Sequence, residues 1–476
     1  MKNIKILTAS VLLCLLNFAC TGDFNEVNED PNRITQISPG TLLNPIIYGL
    51  ATHNADRSAS ITFNLMQVSL PFPSVSGGIH RYDLSDNIGS SSWTNYYKWI
   101  NNIKEMKAAA IMAEDRNYEA IALTLNAWAY SNLTDLFGPV PMTEAVRGDE
   151  GLLYPAFDSQ QFVYQTILTD LERANTLYNT AKPMIYYSDI LFQNDITKWR
   201  KFTNSLRMRL LLRISNRSET NAFQQLATMA NNPTLYPVFT NNAESAIFKV
   251  TGVTPNISTW TRPQDFNLSV KIASFFIDNL NTMSDPRRPI IALTATNSSN
   301  VSIGYKGIPS GFAGPESQFT YNASTLNTNQ VKNPMNIFLL TYAEVEFIKA
   351  ELAQRGFYTE AEIHYKKGVQ AAIEQLGAVF PATYFTNSLA AYDGTLERIM
   401  LQKYYALYFT DYQQWFEHRR TGFPTLPTTT AMLNNAIMPA RFSYPTAIQI
   451  NNEKNYLKAV ELLGPDSINT KVWWDN

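Results

Sequence analysis

Eight segments of this 476-residue chain bring their apolar residues back at intervals of three and four, the spacing that gathers them along one side of an α-helix. Trp93–Ala113 sets Tyr96, Trp99, Ile100, Ile103 and Met106 on one side, and Tyr118–Phe137 follows it until Gly138-Pro139 stops the helix. Phe157–Tyr178 begins at an Asp158 cap and aligns Phe162, Ile167, Leu168 and Leu171. Asp195–Ile214, Leu268–Met283, Ile337–Arg355, Thr359–Leu376 and Leu396–Glu417 show the same period. Strand-like alternation is confined to Ala246–Val250 and Val301–Tyr305. The expected fold is mainly α.

Small residues refine that expectation. Ala343, Ala350 and Gly356 precede Ala361, Tyr365 and Gly368, a spacing that lets neighbouring helices approach closely and that underlies the tetratricopeptide repeat. Ala120, Thr124 and Ala127 echo it. The echoes are degenerate and not adjacent, which predicts stacked helical pairs inside one globule rather than an open solenoid. Long polar loops separate the helices: Pro71–Ser92, Asn232–Asn267 and Asp285–Asn336. Loops longer than about 15 residues in a compact domain are usually functional or disordered, and the aromatics scattered through these argue against disorder.

With 45% hydrophobic and 12% aromatic residues the chain has ample material for a large core. Only 16% of residues are charged, and 38 basic residues face 40 acidic ones. No field of one sign exists to hold a polyanion, so nucleic acid is not an expected partner. Lys198–Arg217 holds seven basic residues and no acid, but Leu206, Leu210, Leu211 and Ile214 surround its arginines. The segment therefore reads as a packed helix whose arginines pair with acids of neighbouring helices.

The two cysteines, Cys14 and Cys20, fall inside a recognisable leader. Lys2 and Lys5 precede an uncharged run from Ile6 to Ala19, which describes a secretory signal too short to span a bilayer. Cys20 directly after the small Ala19 predicts lipoprotein processing, with cleavage before Cys20 and acyl chains such as palmitate added to it; Asn17 stands where such signals usually carry Leu. Cys14 follows the bulky Leu13 and is the poorer candidate. The expected organisation is a signal peptide over 1–19, a polar tether over 20–38 and one ligand-binding body over 39–476.

Catalytic and cofactor motifs are missing. His53, His80, His364 and His418 are far apart, no cysteine lies in the body, and neither G-x-S-x-G, a P-loop nor G-x-G-x-x-G occurs. Gly307–Gly311 reads as a turn. No metal and no cofactor is expected. Forty acidic residues leave room for a glycosidase pair, but any chain so supplied does.

Trp93, Trp99, Trp128 and Trp199 lie on helical stripes and read as core, whereas Trp260 sits in a polar loop, PNISTWTRPQDF, beside Arg262 and Phe266. An exposed ring there offers an apolar face for stacking while amides and guanidinium supply hydrogen bonds, the mixed surface a sugar ring demands. Tyr82, Tyr305, Phe312 and Phe319 share that context. The competing reading at each position is an aromatic that pins its own loop to the body.

Several segments together resemble the SusD/RagB family of nutrient-binding outer-membrane lipoproteins, in its SusD-like subgroup. They include DFNEVNEDPN (Asp23–Asn32), LTDLFGPVPMTEA (Leu133–Ala145), DITKWRKFTNSLRMRLLLR (Asp195–Arg213), DPRRP (Asp285–Pro289) and YKGIPSG (Tyr305–Gly311). LLTYAEVEFIKAELAQRG (Leu339–Gly356), QKYYALYFTDYQQWFEHRRTGFP (Gln402–Pro424), MPARFSYP (Met438–Pro445) and the final WWDN complete the match. The resemblance implies a lipid-anchored protein of the outer membrane, facing outward, with a tetratricopeptide-like frame. It also implies a partner, a TonB-dependent outer-membrane transporter of the SusC-like kind, and a ligand that is an oligosaccharide or, in some members, a peptide. Binding regions carry over as the loop before Trp93 and the loops between about 250 and 335; no site residue carries over by motif. A surface-anchored glycan hydrolase is the alternative from a different class.

Overall fold

A computed structural model of the chain describes residues 38–75, 77–186 and 188–475. The expected signal peptide, Cys20 and the tether up to residue 37 lie outside the described residues. The described chain is mainly helical, with a few short strands. Pro39–Arg57 runs on through a π-helical turn, Ser58–Thr62, and is followed by Ser90–Met112, Arg116–Phe137, Gln160–Leu177 and Ile196–Arg213. Arg116–Phe137 packs against both Ser90–Met112 and Gln160–Leu177, and Tyr342–Gln354 against Ala361–Gln375. These are the stacked pairs the small residues predict: at Gly368 an added Cβ would lie 3.1 Å from the Phe347 ring.

Local chemistry sets the helix starts. Asp115 accepts hydrogen bonds from the N–H groups of Asn117 and Tyr118, and Asp195 from that of Lys198 at 3.0 Å. Helix Gln160–Leu177 departs from expectation by one residue. Ser159, not Asp158, is its cap, its hydroxyl accepting from Phe162 N–H at 3.2 Å. Asp158 is turned instead to the N–H groups of Met142 and Thr143, at 2.9 and 2.8 Å.

Four further expectations need correction. Leu268–Met283 is a strand, Val270–Ile272, before a short helix, Ser274–Thr282. Ile337–Arg355 divides at Thr341: Met335–Leu340 pairs antiparallel with Ala246–Val250, and helix Tyr342–Gln354 starts where the Thr341 hydroxyl accepts from Glu344 N–H at 3.3 Å. An apolar strand abutting an apolar helix reads as one continuous run. Leu396–Glu417 breaks into Leu396–Ala406 and Gln413–Thr421. Val301–Tyr305 is not a strand; the ribbon nearby pairs Thr296–Asn297 with Tyr321–Asn322. Replacing Thr341 by Ala should cost about 1 kcal/mol of stability through the lost cap, read from urea unfolding.

The arginines of Ile196–Arg213 pair inward, as a packed helix requires. Arg209 Nε donates to Glu344 at 2.6 Å, Arg207 to Glu172 at 2.9 Å, and Arg213 Nη2 lies 3.5 Å from Glu417. Burial alone would raise the Glu417 carboxyl, but Arg420, Lys403 and Arg213 together hold it well below the usual carboxylate range. Burial lowers three imidazoles, His53 to about 3 with help from Arg57, His80 to about 4 with help from Arg81, and His418 to about 4.

An unfolded histidine takes up a proton near pH 6.5, so between that pH and about 4 the unfolded state binds protons that the native state refuses. Stability therefore falls as pH drops through this window. Asp135, raised by burial to about 6, acts in the opposite sense, contributing stability at low pH that is lost as pH rises through about 6. Burial also raises Asp170, Asp278, Asp411 and Asp475, by less than Asp135; the three histidines carry the larger shifts and predict a urea midpoint at pH 5 below that at pH 7.5.

Candidate functional site

Three loops converge because short backbone pairings and one buried amide tie them. Ser69–Pro71 pairs antiparallel with Val270–Ile272, joining the first long loop to the segment after Trp260. Gln67, fully buried, donates to the Pro427 carbonyl at 2.9 Å and to the Tyr82 hydroxyl at 3.4 Å, and accepts from the Ser310 hydroxyl. Arg81 Nε donates to the Ala431 carbonyl, and Leu433 N–H to the Arg81 carbonyl at 2.8 Å.

Two groups of rings stand on this frame. In the first, Phe312 and Phe319 lie 5.1 Å apart, with Phe72 about 6 Å from each and Tyr321 5.6 Å from Phe319. Two ammonium groups meet its faces, Lys306 at 4.0 Å from the Tyr321 centroid and Lys271 at 5.7 Å from Phe72. In the second, Trp260, Phe266 and Phe409 are mutually 5.5–5.7 Å apart. Phe409 sits in the break between Leu396–Ala406 and Gln413–Thr421 at φ +61°, a conformation that L side chains rarely adopt.

Phe409 also forms part of the wall of a cleft of about 380 Å³ between the two ends of the loop after Asp285 and the end of helix Ala361–Gln375. Its polar lining is made wholly of amides, from Asn327, Asn329, Gln330, Asn336 and Gln375, and its apolar lining includes Phe338 and Met335. No charged side chain lines it. The Gln375 Oε1 atom is buried without a partner, an acceptor left over for a donor from outside. Such a wall suits a neutral, hydroxyl-rich ligand and gives an ion nothing to pair with.

The residues singled out in the sequence fall into two kinds. Tyr82, Phe266 and Phe312 are buried, at 2%, 5% and 5% exposure, so they pin their loops and present no face to a ligand. That corrects their expected role: the clustering of rings just described buries Phe266 and Phe312, and Tyr82 is buried beside Gln67. Trp260, Tyr305 and Phe319 are half-buried, and Arg262 is exposed in an ion pair with Asp265 at 2.9 Å. The structure brings Trp260 to Phe266 and Phe312 to Phe319, but Tyr305 stands apart beneath the Arg288 guanidinium at 5.6 Å. Phe409, Phe72 and the cleft amides were not anticipated. Phe409 lies inside an apolar run that looks helical, and single Asn and Gln residues carry no pattern. Among the described residues no group of three or more His, Asp or Glu side chains is placed to hold a metal ion, and no helix is long and apolar enough to cross a membrane.

Comparison with known proteins follows the same lines. A SusD-like family model, described as starch-binding and associating with the outer membrane, matches residues 31–445. A solved chitin-binding protein is 25% identical, with a TM-score of 0.79 over 92% of this chain and all of its own. A SusD homologue of Bacteroides fragilis is 22% identical, with a TM-score of 0.77 over 93% of this chain and all of its own. One of Bacteroides thetaiotaomicron is 21% identical, with a TM-score of 0.75 over 92% of this chain and 99% of its own. At these last identities the likeness is one of fold. No curated protein matches the sequence.

Proposed function

This chain belongs to the SusD-like family of outer-membrane-associated, nutrient-binding proteins, and from that premise we propose that it captures a neutral oligosaccharide and delivers it to a TonB-dependent transporter. The observation that carries the ligand half is the charge-free cleft lined by amides and apolar side chains, backed through Phe409 by Trp260. A pyranose ring presents C–H groups on a face and hydroxyls at its rim. Phe409 in the wall, with the half-buried Trp260 packed beside it, meets the first demand and the amides the second. The similar chitin-binding protein supports a glycan over a peptide.

In this proposal the signal peptide 1–19 is removed, Cys20 is acylated, and residues 20–38 tether the binding body to the outside of the outer membrane. Several acyl chains, each contributing about 0.8 kcal/mol per buried methylene, hold it there durably. The chain changes no covalent bond in its cargo. Pull-down of the full chain from native membranes should bring down a large outer-membrane barrel, and mass spectrometry should find Cys20 acylated at a new N-terminus. An unlipidated chain that brings down no barrel would overturn the delivery half. Release of reducing ends from a glycan, abolished by one carboxylate substitution, would instead make it a hydrolase.

A further inference from the structure

Two adjacent tryptophans, Trp473 and Trp474, have opposite surroundings. Trp474 is fully buried, its indole N–H donating to Asp135 Oδ1 at 2.6 Å and its ring stacked under the Arg419 guanidinium at 4.4 Å. Trp473, held in place by that anchor, is half-exposed, and its indole N–H donates to nothing among the described residues. The Arg217 guanidinium lies 5.3 Å from its ring and donates to its carbonyl at 3.4 Å. An aromatic ring so fixed, with an unused donor at its edge, is a preorganised stacking platform.

Trp473 stands between two clefts, of about 290 and 250 Å³, which share only Trp473 itself and Gln161. Gln161 and Gln165, one turn apart on helix Gln160–Leu177, are exposed, and their amides make no hydrogen bond among the described residues. Gln225 adds a third amide to the larger cleft, its Nε2 given to the Thr220 carbonyl at 2.9 Å and its oxygen left open. Behind them Arg207, 6% exposed, gives Nη2 to Glu172 while its Nε has no partner. Glu172 and Glu219 in the same wall oppose an anion, whereas free amide donors and acceptors around an indole suit hydroxyl groups. Neither cleft shares a residue with the Trp260 group, the Phe312 group or the amide cleft beside Phe409.

We propose that Trp473 is the centre of a second carbohydrate subsite, where a neutral oligosaccharide lies across the indole and reaches into both clefts. The inference rests on the glycan-binding reading of this chain but uses a separate surface. Two sites on one chain would hold a long glycan by avidity, the first engagement raising the effective concentration for the second.

Calorimetric titration of the full chain with maltohexaose and with chitohexaose tests it. For at least one of them the expected stoichiometry is two per chain. Trp473→Ala should reduce it to one, and Gln161→Ala should weaken the second site at least fivefold. Because Gln161 is exposed and unbonded, its variant keeps the test open even if Trp473→Ala fails to fold. Wild-type stoichiometry and affinity in a folded Trp473→Ala chain and in Gln161→Ala would overturn the subsite, and the loop site would still stand if Trp260→Ala weakened binding. Binding lost in Trp473→Ala but untouched in Trp260→Ala would uphold the subsite and remove the loop site. No heat with either hexasaccharide would overturn both.

Discussion

Arg420→Leu is expected to lower the free energy of unfolding by about 3–5 kcal/mol, among the largest effects a single substitution in this chain should have. Arg420 is a side chain with no exposure that donates to both oxygens of Glu351, at 2.8 and 2.6 Å, and to Glu417 at 2.8 Å. Leucine fills much of the space but leaves two carboxylates facing one another with fewer cations. Lys403, 2.6 Å from Glu417, and Arg355, 2.9 Å from Glu351, compensate only in part. The contrast is Arg262→Ala, which removes an ion pair whose arginine is 77% exposed and should change stability by less than about 1 kcal/mol. Urea unfolding of both variants at pH 7.5 checks the pair of values. Equal effects would mean that the buried network does not hold the helical frame.

Trp260→Ala should weaken oligosaccharide binding by about 1–3 kcal/mol, roughly 5- to 150-fold in Kd, with the fold retained. The ring packs edge-on to Phe266 and at a tilt to Phe409, so it is fixed before any ligand arrives. Its loss removes the stacking face and loosens Phe409 at the wall of the amide cleft. Trp260→Phe keeps an aromatic face and should recover part of the affinity. Calorimetry alongside a thermal melt separates lost binding from lost folding. Unchanged affinity in a folded Trp260→Ala chain would remove the tryptophan from the site.

The helical frame was readable because a periodic stripe reports burial on one side, and this holds for Ser90–Met112, Arg116–Phe137 and Gln160–Leu177. Boundaries failed where an apolar strand runs into an apolar helix, as at Leu340–Tyr342. There the spacing Thr341-x-x-Glu344 is a capping signal that could have marked the start. The break after Ala406 carried no glycine or proline; the turn is made by Phe409 and Asp411 at positive φ, which no propensity announces.

The site was legible only as a region. A loop aromatic looks the same whether it faces solvent or packs on its neighbours, and Phe266 and Phe312 proved to be packed. Their partners come from distant segments, Phe63 and Phe409 for one and Phe72 for the other. The amide cleft draws on residues from Pro289 to Phe409, and nothing local to Asn327 or Gln375 shows that they share a wall.

The most direct measurement is calorimetric titration of the protein with maltohexaose and chitohexaose at low and high salt, beside a panel of short charged and neutral peptides. A wall without charges predicts binding of at least one hexasaccharide with an affinity that stays within about twofold as screening increases. Silence towards both sugars, or tight binding of charged peptides that collapses with added salt, would contradict a neutral-glycan capture site.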